Sequence, residues 1–379
     1  MPVQKGHLLQ SPHVDIIVDN VPLSNVISVT LSHELDKART LSCSFKGDSS
    51  LLQCRLGAIV SLKQHIGKPT SGTFSDDNSF LGIIKTIQPS QDVHSFIAFD
   101  FTTLLAESQL INYKVEDYIG EDLYFAAASA CDLKYHGEVS RMTNTSIDVS
   151  NLKSGSGIFI TKDMELFGWK TRKEFIDACF NEMKILRDDA NHPQFTIQQY
   201  HYAIHKDNIM SFFTPDPLHN HAIPSLTLSK DKNNLPDNGT VSQIDTTKLI
   251  NAITIVSKSD NTIYAQRENA SSIAQYGVIS KFLQLDTTDI NILDNAAELI
   301  IRRFDKPSIF YNIATVEPTN LHLGDLVEIK QPELNINEIL PIVSIKIDIG
   351  TTITFAIKVG EKPLSLQEEI DIISKPTNR

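Results

Sequence analysis

Tryptophan occurs once and cysteine four times in 379 residues. The cysteines, Cys43, Cys54, Cys131 and Cys179, lie far apart with no CxxC pair, which excludes a zinc ribbon or dithiol redox motif and leaves buried free thiols as the expectation. Positive charge is also short. With 34 basic against 46 acidic residues the formal charge is -12, the wrong sign for a surface dedicated to neutralising phosphates. No apolar run approaches the roughly 20 residues that span a bilayer, so no membrane insertion is expected. The opening Met1-Pro2-Val3-Gln4-Lys5-Gly6 carries no apolar stretch of the secretory kind, and a soluble product of a cytoplasm is expected. Walker, GxSxG, HExxH and GxGxxG motifs are missing, which removes the familiar routes to enzyme chemistry.

The remaining candidates for chemistry are weak one by one. His201 and His205 are four apart, but their segment alternates like a strand, which would hold them about 13 Å apart. His219 and His221 flank Asn220 in a loop, with no third ligand placed by spacing. Asp231-Lys232-Asn233 begins like a calcium loop, yet Pro236 stands where glycine is needed and Ser242 where glutamate is needed. Glu121-Asp122 and Asp188-Asp189 are adjacent carboxylates, which face differently in any regular element. Trp169, beside a helix start, reads as a packing anchor, with sugar stacking as its functional alternative. No catalytic, cofactor-binding or metal residue is therefore assigned, and no cofactor is expected.

What is present is alternation. Ile27, Val29 and Leu31 alternate with serine and threonine, as do Leu41, Cys43 and Phe45, in the manner of half-buried strands. Asp19-Asn20 reads as a turn between strands. Further strands are expected at residues 59–62, 83–87 and 96–101, and many short strands at this spacing indicate a barrel or sandwich. The middle changes character. Helices are expected from Gly120 to Ala130, and from Thr171 to Ile185 with Phe175, Ile176, Cys179, Phe180 and Met183 on one face. Residues 195–205 and 209–213 read as a hairpin around Lys206-Asp207-Asn208, and residues 231–239 as an exposed connection. Strands resume at residues 253–256. A long helix over 288–304 follows, with Ile292, Ala296, Leu299 and Ile300 expected inside and Arg302-Arg303 near its end.

The two β-rich ends repeat one another. Residues 56–64 (LGAIVSLKQ) match 323–331 (LGDLVEIKQ), with Leu, Gly, Val, Lys and Gln identical. Residues 80–84 (FLGII) then match 339–343 (ILPIV), pairing Ile84 with Val343. A third alternating strand follows each, Ile97-Phe99-Phe101 and Ile353-Phe355-Ile357-Val359. The chain thus reads as mainly β with an α+β insert, and as two similar barrels, each with a Leu-Gly bend leading into an inner strand. The expected division is an N-terminal arm (1–12), a first barrel (13–105), an α+β insert (106–224), a second barrel with the long helix (225–362) and a C-terminal tail (363–379). Residues 65–79, longer and more polar than residues 332–338, are a candidate contact arm.

Three stretches carry a resemblance to a known family. Val14-Asp15-Ile16-Ile17-Val18-Asp19-Asn20, with residues 27–31, is similar to its first hairpin. Ala106-Glu107-Ser108, Ile119-Gly120-Glu121-Asp122-Leu123 and residues 175–179 are similar to its paired-helix insert. Residues 270–277 (ASSIAQYG), the long helix and Leu323-Gly324-Asp325-Leu326-Val327 resemble its Ser-Ile-x-x-Tyr-Gly, helix and Pro-Gly-Asp-x-Val succession, with Leu323 where proline is common. The family is the late control protein D and baseplate hub group of contractile phages, which also forms the base of type VI secretion spikes. The resemblance implies two tail-tube-like barrels in one chain and a homotrimer whose six barrels adapt a sixfold tail tube to a threefold spike. It implies a structural, non-enzymatic virion protein of the tail baseplate, through whose channel DNA passes without specific binding. The implied neighbours are a tail tube or tube-initiator protein, the central spike protein, the tape measure and baseplate wedge proteins. Competing readings are a receptor- or carbohydrate-binding tail protein, a cell-wall hydrolase and the hub of a related contractile injection system.

Overall fold

The computed structural model describes residues 13–65, 78–107, 119–131, 159–160, 171–183, 185–189, 192–198, 201–204, 210–213, 226–229, 240–315, 322–332, 336–350 and 353–360. The chain forms two compact units. The first comprises Met1–Met183, Tyr200–Thr240 and Ile313–Val359, and the second Lys184–Gln199, Val241–Asn312 and Gly360–Arg379.

In the first unit β1 (His13–Val18) turns into β2 (Val21–Pro22) through Asp19 and Asn20, both at positive φ (47° and 67°). Short polar side chains tolerate that region, and two such residues in succession match the right-handed twist of a hairpin. Next come β3 (Val26–Glu34), β4 (Thr40–Phe45), the short α1 (Asp48–Gln53), β5 (Ile59–His65), β6 (Asn78–Gln88) and β7 (His94–Asp100). Their sheet runs β3-β4-β7-β6-β5-β1-β2, with every neighbour antiparallel. Alternate residues Val29, Leu31, Leu41, Cys43, Phe45, Val60, Leu62, Phe80 and Phe96 close one buried core. Burying a side chain of this size is worth about 1.5–3 kcal/mol each. Ile27 does not join them. It is 44% exposed because the β3–β4 register slips between Val26 and Ser28, and a bulge there turns the following residues to the other face.

After β7 come α2 (Thr102–Glu107), α3 (Leu123–Cys131) and α4 (Arg172–Met183). The small residues Ala126, Ala127 and Ala130 of α3 let α4 approach with Phe175, Ile176 and Cys179, all buried, and Arg172 caps the junction by donating from Nη1 to the Ala130 carbonyl at 2.9 Å. Beyond α4, β8 (Ile185–Asp189) pairs with β9 (His192–Gln198), and β10 (His201–Ile204) with β11 (Met210–Phe213). Phe195 belongs to β9 and only His201 onward forms the expected hairpin with β11, since β9 finds its partner in the preceding segment. After β12 (Leu226–Ser229) comes β13 (Thr240–Asp245).

The second unit is an α/β layer. β14 (Ala252–Ser257) pairs antiparallel with β15 (Tyr264–Glu268) and parallel with β16 (Ser280–Leu285), α5 (Ala270–Tyr276) making the crossover. α6 (Ile290–Phe304), capped by Asp289 on the Asn291 amide, lays Leu293, Ala296, Ala297, Ile300 and Phe304 against Ile253, Ile255 and Ala265. Ile292 is 41% exposed and Leu293 fully buried in its place. With Ile290, Ile292 and Leu293 all apolar the helical phase is ambiguous until the sheet selects a face. β17 (Ser308–Thr315) leads out of this layer, and β18 (Leu326–Gln331), β19 (Ile336–Ile349) and β20 (Ile353–Gly360) complete the chain. In the first unit β19 pairs with β18, β20 and β3, all antiparallel, while β12 pairs with β18 in parallel. Ile347 and Ile349 thereby reach the core built by β3 to β7.

Candidate assembly surface

The two Leu-Gly bends have the same backbone. Gly57 and Gly324 lie at φ 81° and 84°, where a Cβ is penalised. Gly57 N donates to the Ile84 carbonyl at 2.9 Å while Ile84 N donates to Ala58 at 2.9 Å. Gly324 N donates to Ile342 at 2.9 Å while Ile342 N donates to Asp325 at 3.0 Å. After each bend a bulge follows at once, between Ile84 and Thr86 against β7 and between Ile342 and Ser344 against β20. The structure thus equates Ile84 with Ile342, one residue from the pairing with Val343 that the sequence match suggests. Hydropathy cannot see this offset, because both segments end in two consecutive apolar residues and only the hydrogen bonds fix the register.

The two hairpins differ in what surrounds them. Leu56 is 67% exposed, whereas its counterpart Leu323 is 3% exposed. Beyond the bulge, β19 carries a second neighbour: β3 pairs with it from Ser344 opposite Glu34 to Ile349 opposite Val29. Thr30 Oγ1 donates to Asp348 Oδ1 across this junction at 2.7 Å, and Lys346 Nζ lies 2.8 Å from Asp348 Oδ2. Partial burial is the largest influence on the Asp348 carboxyl and pushes its pKa up. The hydrogen bonds from Lys346 and Thr30 and the Lys346 charge together outweigh it and hold the carboxyl below its ordinary range.

The polar residues buried in the first unit hold elements together. His201 Nδ1 faces Asp36 Oδ2 at 2.7 Å, Tyr202 N donates to Asp36 Oδ1 at 3.1 Å, and the Tyr202 hydroxyl donates to the Asp36 carbonyl at 2.9 Å. Asp36 sits at φ 59° in the turn after β3, so this turn is clamped onto β10. Asp100, at the end of β7, accepts from Arg39 N at 2.8 Å, from Thr102 N at 3.0 Å and from the Thr102 hydroxyl. Burial pushes its carboxyl above the usual range, against the opposing Thr102 and Arg39 hydrogen bonds and the Arg39 charge. The Arg39 guanidinium, brought down to about 10 mainly by burial, rests over the Phe80 ring at 5.9 Å. Sequence reading missed Asp36, Arg39, Asp100 and Asp348: Thr102 and Lys346 are local partners of Asp100 and Asp348, but the contacts that join separate elements, Asp36 with His201, Arg39 with Asp100 and Thr30 with Asp348, are distant in the chain.

Among the residues weighed for chemistry, Glu121 is exposed and Asp122 buried just ahead of α3, so the adjacent carboxylates do diverge. Asp188 and Asp189 end β8. All four cysteines are free and buried, with the Cys54 thiol pushed up to about 11 by burial. His205, His219, His221, Trp169, residues 231–239 and residues 66–77 of the candidate contact arm lie outside the described residues. Among the described residues no cluster of three His, Cys, Asp or Glu side chains is placed to hold a metal, and no helix is long and apolar enough to cross a membrane.

No known family profile matches the chain, and no curated protein does. Solved structures do match over nearly its whole length. The tail protein from Neisseria meningitidis MC58 is similar at 10% identity with a TM-score of 0.61, over 93% of this chain and 97% of that one. The 43 kDa tail protein of prophage MuSo2 from Shewanella oneidensis is similar at 13% identity with a TM-score of 0.58, over 91% and 97% of the two chains. At such identities the likeness is one of fold, and the chain has the β-rich fold of these phage tail proteins.

Proposed function

We propose that the chain is a structural hub subunit of a phage tail baseplate. Three copies form a ring of six barrel-like modules, two per chain, that adapts a sixfold tail tube to a threefold spike and continues the DNA channel. The observation that carries this reading is the recurrence of one hairpin geometry, glycine bend, paired backbone bonds and bulge, in the meanders β5-β6-β7 and β18-β19-β20. Two like modules in one chain let three chains present six equivalent surfaces on one side and three on the other. The tail-protein fold supports a place in the virion tail. Spike, tube, tape measure and wedge proteins are the partners this role calls for. The polar network described above braces elements, and it gives the role no catalytic step.

Light scattering and negative-stain imaging of the purified protein test the proposal. A mass three times that of the chain and rings with six lobes are expected. A monomer at all concentrations, with no ring in assembled particles, overturns it. Release of soluble fragments from peptidoglycan would overturn the non-enzymatic part. The formal charge of -12 suits a channel wall that repels phosphate within the screening distance of about 8 Å, so the protein should not retard duplex DNA in a low-salt gel.

A further inference from the structure

The strand β6 has an edge that its counterpart β19 does not. β5 covers β6 only as far as the bend, where Gly57 and Ala58 pair with Ile84. Beyond the bulge, Thr86, Ile87 and Gln88 pair with β7 on one side, and among the described residues no strand lies along the other. In β19 the matching stretch, which begins at Ser344, has β20 on one side and β3 on the other. Among the described residues the same edge therefore occurs twice, once with a strand beside it and once without. An independent observation agrees: the leucine before the bend is buried in the first case (Leu323, 3% exposed) and exposed in the second (Leu56, 67%). Exposed strand edges are ready templates for pairing with another chain.

We propose that a second copy of this chain fills the β6 edge, adding β13 beside residues 86–88 as β3 adds beside β19, and covering Leu56. β13 is the suited strand. It precedes β17 in the chain and lies beside it in the sheet, as β3 precedes β4 and lies beside it; it has no other sheet neighbour among the described residues, and it carries Ile244 at 63% exposure. Each copy thus donates one strand and receives one, a head-to-tail contact that closes at three copies. Pro89, which lacks an N–H, limits the new ladder to three residues, against six in the pairing of β19 with β3.

This inference rests on the ring proposed above, and the test separates the two. Thr86→Cys is combined in turn with Gln243→Cys and with Ile244→Cys. The native thiols, being buried, do not compete. Mild oxidation of the assembled protein should give a reducible ladder on a denaturing gel that ends at three chains, with none of the three single variants cross-linking. Leu56→Asp, at an exposed position, should leave the circular dichroism melt unchanged and weaken assembly by about tenfold or more. A trimer by light scattering that neither cross-links through these pairs nor weakens with Leu56→Asp overturns the inference and leaves the ring standing. A wild-type protein that is monomeric at every concentration overturns both.

Discussion

Asp100 is the residue whose replacement bears most directly on how the first unit holds together. Its carboxyl is 1% exposed and accepts from two backbone amides, Arg39 N and Thr102 N, as well as from the Thr102 hydroxyl, while Asp100 N returns a bond to the Arg39 carbonyl at 3.0 Å. Asp100→Ala removes the acceptor and the charge opposite a buried guanidinium, and the expected loss is about 3 kcal/mol, the lower end for breaking a buried pair. Asp100→Asn keeps the shape and one acceptor, so it should cost less. The pH dependence then identifies the dominant force. Because burial raises the folded pKa above the ordinary 3.8, protonation of this carboxyl stabilises the fold fully below that value, and the contribution is lost as pH rises through the folded pKa. The advantage of wild type over Asp100→Asn should therefore shrink with rising pH. Urea unfolding followed by circular dichroism at several pH values between 4 and 8 measures both quantities. An alanine variant within about 1 kcal/mol of wild type would refute the structural account. An advantage that grows with pH would show that Arg39 and the hydrogen bonds outweigh burial.

Asp36→Ala should cost about 2 kcal/mol in a thermal or urea melt by removing two side-chain contacts to β10, His201 Nδ1 and Tyr202 N, while Asp36→Asn should cost less. The depressed pKa of Asp348 gives stability that is present above its unfolded value of 3.8 and lost as pH falls through the folded value, so Asp348→Asn should remove part of the acid sensitivity seen in melts below pH 4. The four buried cysteines should react with a thiol-specific disulfide reagent only as fast as the fold opens, and at once in denaturant; Cys43 should be slow because burial, and then Cys54, push its thiol up.

The sequence was legible where one physical rule acted alone. β4 alternates Leu41, Cys43 and Phe45 inward without interruption, and its burial follows the pattern residue by residue. β3 obeys the same rule until the bulge beside Ser28 frees Ile27, and a bulge has no signature in hydropathy. The ends of α4 were readable to within a few residues, and of the inward face of α6 Ala296, Leu299 and Ile300 were readable and Ile292 was not, because adjacent apolar residues leave two phases open in the first turn. The candidate surface was half visible. Glycine in a Leu-Gly bend is an explicit demand for positive φ, so both bends stood out. The register beyond them depends on backbone pairing, and the open edge depends on which strand arrives from elsewhere in the chain. No local pattern records either. Likewise Asp36 and His201 meet across 165 positions, and Arg39 and Asp100 across 61, distances over which side-chain identity carries no mutual trace in one sequence.

The difference between the two hairpins has a consequence for the proposed assembly. In one of them β3 and β19 belong to one chain, their ladder spans six residues, and the Thr30 to Asp348 hydrogen bond locks it. That pairing is intramolecular, so it forms with folding and needs no particular concentration. In the proposed ring the β6 edge offers half that length and, at residues 86–88, no charged partner of the Asp348 kind, which makes each contact between copies the weaker one. An open chain of three copies makes two such contacts and leaves one edge bare. Closure makes the third contact within a single assembly, where the effective concentration of the last strand far exceeds that of free protein. Weak, equal contacts therefore favour the closed ring over partial assemblies, whereas strong ones would trap open oligomers. Lengthening the β6 ladder by Pro89→Thr tests this argument: it should raise the share of open dimers seen by native mass spectrometry at low concentration, and an unchanged distribution would show that strand length does not set the order of assembly.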